Sequence, residues 1–313
     1  MTEQQKKYQE VCQTQIVPLH AQYWWMQATA IGKRWDVISL QNSQEQMIAM
    51  LPVHIWEHLG IRCLVMPPHT QLTWLWLDKA VAGGDAYKVF VEEVVNYIRR
   101  NRISLFYIQG YFDEDLLEVF QQHHFRIKER RSYQIPPSKE ELFQTFSTNK
   151  KRLIKKAIRS GISLSTLSVS DFYAVHARFL SQRGKRIDYS KKFLETLATE
   201  ALQRGQGRIM TAVDANGEVL AALFLVWDSQ VCYYLLPTYN ADYANSGAMA
   251  WLTMQAILFA QQKNLIFDFE GSMSPTIAHS YSQFGSIPSK YYSVEKSSLL
   301  LRVLLSVKTL LQR

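Results

Sequence analysis

Two carboxylates, Asp268 and Glu270, stand two residues apart in the largely apolar run LIFDFE at residues 265–270. Side chains of a strand alternate between its faces, so a strand here sets Asp268 and Glu270 on one face and Phe267 and Phe269 on the other. A carboxylate takes up a proton efficiently when burial lifts its pKa from the usual value near ~4.3 toward neutrality. Glu270 is the first candidate for a proton acceptor, with Asp268 sharing the task or holding the group that gives up the proton. The competing reading is an ion pair between these carboxylates and a basic helix. Tyr239 and Tyr281 carry phenols able to donate a proton, whereas His279 reads as a capping or solvent-facing histidine. Asn245, Ser246, Gly247 and Ala248 precede an apolar-periodic segment, and a helix starting there turns backbone N–H groups and its dipole toward a phosphate. A loop that merely connects is the plain alternative.

The elements that must position these residues follow from pattern. Residues 231–236 are β-branched and aromatic and stop at Pro237, which predicts a strand running into the polar loop. Met249, Leu252, Ala256, Phe259 and Ala260 recur at helical spacing over 248–263, with Asn245 or Ser246 available as the cap. Residues 265–270 then complete a strand, loop, helix, strand unit. Ahead of it, 208–213 and 219–227 read as strands joined by the turn Asp214 to Gly217, and 171–182 and 191–203 as helices. Residues 149–159 form a helical pattern with six Lys or Arg, closed by Gly161.

That basic helix belongs to a wider charge asymmetry. Residues 126–160 hold 11 Lys or Arg against three Glu, an excess equal to the +8 of the whole chain. Charge concentrated in this way attracts phosphates or anionic surfaces, whereas dispersed charge serves solubility. Lys151 and Lys155 are the cations assigned to an anionic donor, the alternative being a solvated face.

In the first half, 35–40 and 47–55 read as a hairpin, 61–66 as a further strand, 86–100 as an amphipathic helix, 103–109 as a strand, 113–124 as a helix capped by Asp113, and 125–135 as a strand. Residues 4–32 predict a helix with Trp24 and Trp25 on its packed side, and 72–77 is a short aromatic run. Pro136, Pro137 and Ser138 make the one compositional break near the middle, since a double proline continues neither helix nor central strand. The expected domains are therefore 1–137 and 138–313, the second opened by a capping box of Ser138 with Glu141. Residues 286–294 return as a late strand and 299–311 as an apolar helix with basic residues.

A family resemblance attaches to several of these stretches. DFEGSMSPTIAHSYSQFGSIPSKYYSVEK, 268–296, resembles the end of the acetyltransferase domain in FemAB-type proteins of the GNAT superfamily, which are tandem GNAT folds. STNKKRLIKKA, 147–157, resembles the helix that opens that domain, and FLSQRG, 179–184, falls where the family has a similar helix. The likeness covers 142–296, with a fainter echo at Trp24, Trp25 and PPHT, 67–70. It implies an α/β (α+β) chain of two tandem GNAT-like domains, each a mixed, mostly antiparallel sheet flanked by helices. It also implies an acyltransferase, moving an acyl or aminoacyl group to an amine by direct attack assisted by a general base. Cell-wall chemistry is part of the same expectation. No cofactor is bound permanently in such proteins, and acyl-CoA or aminoacyl-tRNA is the co-substrate. Residues 240–248 depart from the Arg- or Gln-led Gly-x-Gly/Ala pattern that GNAT proteins use for a pyrophosphate. The alternative is an inert double-GNAT module that binds an anionic ligand or a protein.

Composition narrows the remaining classes. With 313 residues, 47% hydrophobic and 12% aromatic, the chain has material for two cores. Its three cysteines are scattered and read as reduced thiols, and no His or Cys set has metal spacing. No run approaches the ~20 apolar residues of a membrane span, and the opening MTEQQKKYQE lacks a signal-peptide core, so a cytoplasmic protein is expected. Nucleophile-elbow and P-loop motifs are absent from the sequence, in keeping with direct transfer. Expected partners are an anionic small-molecule donor or acceptor and tRNA, with peripheral lipid contact through the C-terminal helix.

Overall fold

The computed structural model describes residues 1–30, 34–78, 84–138, 141–299 and 301. The chain divides into two compact units, Met1–Arg130 with the stretch from Lys290 onwards, and Arg131–Ser289.

In the first unit, α1 (Glu3–Thr14) opens on a capping box formed by Thr2 and Gln5 and is followed by α2 (Tyr23–Thr29). The single helix expected over 4–32 is thus two, separated by a 3-10 turn at Leu19–Ala21. Strands β1 (Arg34–Gln41), β2 (Met47–His58) and β3 (Ile61–Val65) form an antiparallel meander. Only β4 (Trp76–Leu77) of the aromatic run 72–77 is strand, paired to β2. Helix α3 (Gly84–Arg100) then crosses to β5 (Ile103–Gly110), which lies parallel to β3. Helix α4 (Glu114–Gln122) begins where the Asp113 carboxylate accepts the Leu116 N–H at 2.8 Å, and leads into β6 (Arg126–Ile135). Phe90, Phe106, Phe120, Ile38 and Leu64 fill the core of this unit.

The second unit repeats the order. After α5 (Leu142–Thr145), α6 (Thr148–Arg159), β7 (Ser163–Ser165), α7 (Val169–Ser181) and α8 (Lys191–Gln203) come the antiparallel strands β8 (Gly207–Val213), β9 (Val219–Trp227) and β10 (Val231–Tyr239). Helix α9 (Ala248–Gln262) crosses to β11 (Ile266–Asp268), parallel to β10, and α10 (Pro275–Ser282) leads into β12 (Ile287–Ser297). Strand meander, crossover helix, parallel strand, helix and closing strand therefore occur twice. Leu223, Leu252, Ile154, Phe267 and Phe269 lie in a core separate from that of the first unit.

Each closing strand finishes in the unit that did not begin it. The end of β6 pairs with β11 in the second unit, Ile135 opposite Phe267, while Tyr292 to Ser297 of β12 pair with β5 in the first. This is why the division falls at Arg130 and returns at Lys290, not at the Pro136–Ser138 break expected from sequence with a second domain running to Arg313. A double proline ends a hydrogen-bonded ladder but carries no information about which core that ladder joins. Pro136 and Ser138 are in fact tied to α9: the Gln261 side-chain amide donates to the Pro136 carbonyl at 3.0 Å and accepts the Ser138 N–H at 2.8 Å. The expected capping box is not found, because α5 has four residues and its N-cap Glu141 makes no side-chain cap. The C-terminal helix expected at 299–311 lies outside the described residues, apart from Leu299 and Leu301. Among the described residues no helix is long and apolar enough to cross a membrane.

Candidate active site in the second unit

Strand β10 is longer than its parallel neighbour. Val231, Cys232 and Tyr233 pair with Ile266, Phe267 and Asp268, after which β11 ends while β10 continues to Tyr239 beside β9 alone. A bulge between Tyr234 and Leu236 turns β10 at that point, and Pro237 falls in the one-sided stretch, where a strand proline is tolerated. The gap left beside Tyr234 is a cavity of ≈ 200 Å³. Tyr234 and Tyr239 contribute one wall, and Gly247, Met249 and Ala250 bring the first turn of α9 to another. Lys150 and Leu153 of α6 face Ser280, Tyr281 and Phe284 from α10 and its end, with Phe269 below.

Aromatic contacts set the shape of this floor. Tyr281 stacks on Phe269 with centroids 4.3 Å apart and planes 19° apart, and Tyr234 meets Phe269 edge-on at 5.4 Å. Such pairs add to the area that these rings bury. Phe267 and Phe269 both pack in the core, as alternation required, but the strand does not extend to Glu270. Glu270 and Gly271 adopt left-handed φ of 58° and 71°. The two carboxylates therefore share a tight turn, not a strand face. Glu270 donates its backbone N–H to Asp268 Oδ1 at 2.7 Å, and a Cβ on Gly271 would stand 2.3 Å from the Arg131 carbonyl oxygen. Close approach to that carbonyl and a positive φ together require glycine at 271.

Asp268 is fully buried and held by three donors: the Ser132 hydroxyl, the Gln134 amide at 2.7 Å and the Glu270 N–H. Burial pushes its carboxyl above the ordinary carboxylate range, against the effect of these hydrogen bonds. Asp268 thus positions the turn that carries Glu270. Asp268→Ala strands three donors and should cost about 3 kcal/mol or more, whereas Asp268→Asn keeps an acceptor oxygen and should cost far less once Gln134 turns its amide over. The sign of the pH dependence is fixed by the raised pKa. The native state holds a proton that the unfolded chain has released, so stability falls as pH rises from the ordinary carboxylate value through the raised one. Thermal melts of the Asn variant between about pH 4 and 7 should lack that part of the slope; parallel slopes in both proteins would show Asp268 ionised throughout.

Tyr281 lies close enough to the carboxylates to feel them. Burial foremost, then the charges of Glu270 and Asp268, push its phenol up to about 12, so it stays protonated and serves as a donor. Tyr239 also reaches the cavity, with the Arg183 guanidinium 4.5 Å above its ring. Glu270 is half-buried next to this floor, and His279 stays on the exposed side of α10, its ring beside Gln283.

The polar loop before α9 is engaged by α6. Gly247, not Asn245 or Ser246, is the N-cap, at φ 87°, and a Cβ there would lie 2.1 Å from the Leu153 carbonyl oxygen. The Ser246 hydroxyl takes up the Ala248 N–H at 3.2 Å, and the Asn245 carbonyl accepts from Lys156 Nζ at 2.7 Å. Of the four residues expected to face a pyrophosphate, Gly247 is the one at the cavity.

Lys151 and Lys155 stay outside the cavity. Lys151 Nζ donates to the Gln144 carbonyl at 2.9 Å and Lys155 is exposed. Lys150 is the cation that enters, donating to the Ser280 hydroxyl at 3.1 Å with its ammonium 4.6 Å from the Phe284 ring centre. The sequence held a signal for it: Lys150 lies four and seven residues before Ile154 and Ala157, the two buried positions of α6, and so on their stripe. Nothing comparable marked Ser280 or Phe284, because α10 was not expected; Pro275 in its first turn was the available sign.

Residues 144–274 match the family described as Acetyltransferase (GNAT) domain. Over this stretch the chain is similar to a GNAT domain. Its matched residues hold α6, β10, α9, β11 and the Asp268–Glu270 turn, while α10 completes the cavity just beyond. The fold of the whole chain is similar to the crystal structure of FemX, at 10% identity, 93% of this chain and 96% of that one covered, and a TM-score of 0.71. It is also similar to the C-terminal domain of a putative lysylphosphatidylglycerol synthetase from Agrobacterium fabrum, at 12% identity, 99% and 96% covered, and 0.60. A tandem GNAT protein from the clavulanic acid biosynthesis pathway follows at 9% identity, 94% and 95% covered, and 0.59. At such identities the likeness is one of fold, and it agrees with two GNAT-like domains. A search of curated proteins found no match.

Proposed function

We propose that the chain transfers an acyl or aminoacyl group to an amine acceptor, with the reacting carbonyl seated in the cavity where β10 outruns β11. The observation that supports this is the convergence of the α9 first turn, Tyr281 and Phe269 on one cavity, with Glu270 the next residue along the chain and its charge felt by the Tyr281 phenol. The amine attacks the carbonyl carbon, a C–N bond forms, and the ester or thioester bond breaks. Glu270 takes the proton that the amine loses. Tyr281, or Tyr239 across the cavity, gives a proton to the leaving oxygen or sulfur. The N–H groups of the α9 first turn steady the negative charge that develops on the carbonyl oxygen.

Acyl-CoA and aminoacyl-tRNA are the two donors to be weighed. Leu153 and Lys156 occupy the loop that would cradle a pyrophosphate, a poor fit for CoA. On α6, Arg152, Lys155 and Arg159 are exposed, and among the described residues no carboxylate forms an ion pair with any of the six cations of that helix. This arrangement favours aminoacyl-tRNA, its phosphates along α6 and its aminoacyl end in the cavity. Transfer assays with acetyl-CoA and with mixed aminoacyl-tRNA, each against a panel of amines, test the choice. Lys151→Glu with Lys155→Glu should weaken tRNA binding several-fold at low salt and much less at high salt, because screening removes the contribution of exposed charges. Unchanged binding at low salt, with activity on acetyl-CoA, would return the donor to acyl-CoA.

A further inference from the structure

Lys150 is unusual among the cations of α6 in leaving solvent for an aromatic cavity. Its ammonium sits among Phe284, Tyr281 and Ser280, burial lowers its pKa, and no described carboxylate pairs with it. Holding a positive charge in such surroundings costs free energy unless an opposite charge joins it. The first turn of α9, a 15-residue helix, opens on the same space with its positive dipole end. A single hydroxyl–ammonium contact leaves the other two protons of the ammonium for a ligand.

We infer that this cavity is a carboxylate subsite: Lys150, seconded by the Ser280 hydroxyl and the α9 first turn, selects a transferred group or acceptor that carries a carboxylate on an apolar stem. This rests on the acyl-transfer reading and names the substrate class of that same site. One ammonium matches one carboxylate, whereas a phosphate dianion would keep an excess negative charge against the rings of Phe269, Phe284 and Tyr234. Those rings and Met249 instead suit a flat or aliphatic stem.

Benzoate, benzamide and inorganic phosphate serve as probes, titrated into the full chain and followed by protein NMR. Benzoate should bind and benzamide should bind roughly tenfold to a hundredfold more weakly, the range expected for a hydrogen-bonded charge. Lys150→Met keeps the apolar stem and removes the charge, so benzoate affinity should fall by a similar factor with an unchanged melting temperature. Lys150→Arg should restore most of it, which a purely structural lysine would not require. Equal binding of benzoate and benzamide, indifference to Lys150→Met in a folded variant, or tighter binding of phosphate than of benzoate would each overturn the assignment. Glu270→Gln should leave benzoate binding intact. Selective benzoate binding in a protein with no transferase activity would therefore keep the subsite and remove the reaction, while transfer involving a carboxylate-bearing acyl group or acceptor by the Lys150→Met protein at the full rate would keep the reaction and remove the subsite.

Discussion

Glu270→Gln is expected to lower the rate of acyl or aminoacyl transfer by about 10² to 10⁴, the usual contribution of a general base, while the protein stays folded. The substitution keeps the shape of the side chain and the backbone N–H that Asp268 accepts, so the turn survives. The left-handed φ of 58° at this position is already tolerated by a non-glycine residue, and Gln adds no strain that Glu lacks. Single-turnover rates and melting curves on the same preparations separate the two effects. A fall in melting temperature with turnover unchanged would make Glu270 structural and bring forward the inert double-GNAT module that binds an anionic ligand.

Gly247→Ala is expected to destabilise the second unit by roughly 2–4 kcal/mol and to remove ligand binding at the cavity. An L residue at φ 87° costs about 1–3 kcal/mol, and a Cβ 2.1 Å from the Leu153 carbonyl oxygen forces the start of α9 away from α6. Neither contact partner can yield easily, since Leu153 is helical backbone within α6 and Gly247 is the N-cap fixed to the start of α9. Displacing α9 in this way moves Met249 and Ala250 off the cavity wall and separates the Asn245 carbonyl from Lys156. Urea unfolding measures the first effect and benzoate titration the second. A variant with wild-type stability would show that α6 and α9 have room to part at Gly247, and intact benzoate binding would show that the cavity does not depend on this close approach.

Much of the architecture was present in local pattern, since period and turn chemistry are local properties. The meander of β8, β9 and β10, the Asp214–Gly217 turn, α7, α8 and the Asp113 cap all follow from alternation, helical spacing and a single capping side chain. The same is true of the carboxylates as candidates and of Phe267 and Phe269 as core. Two kinds of decision were not local. Which core a strand joins depends on partners far away in sequence, so β6 and β12 pass between units where the double proline suggested a boundary. Which side chains meet in a cavity depends on helix packing: Lys150 enters because its stripe carries Ile154 and Ala157 into the core, and Lys151 and Lys155, one helical step away, do not. The turn at Glu270 belongs to the same class. Alternation predicted a shared face for Asp268 and Glu270, but Asp268 is claimed by Ser132 and Gln134 from a neighbouring strand, and the chain bends at Glu270 to add its own N–H. Residue type named the groups able to do chemistry, and tertiary packing chose among them, because a charge works in a site only where the surrounding elements hold it out of water.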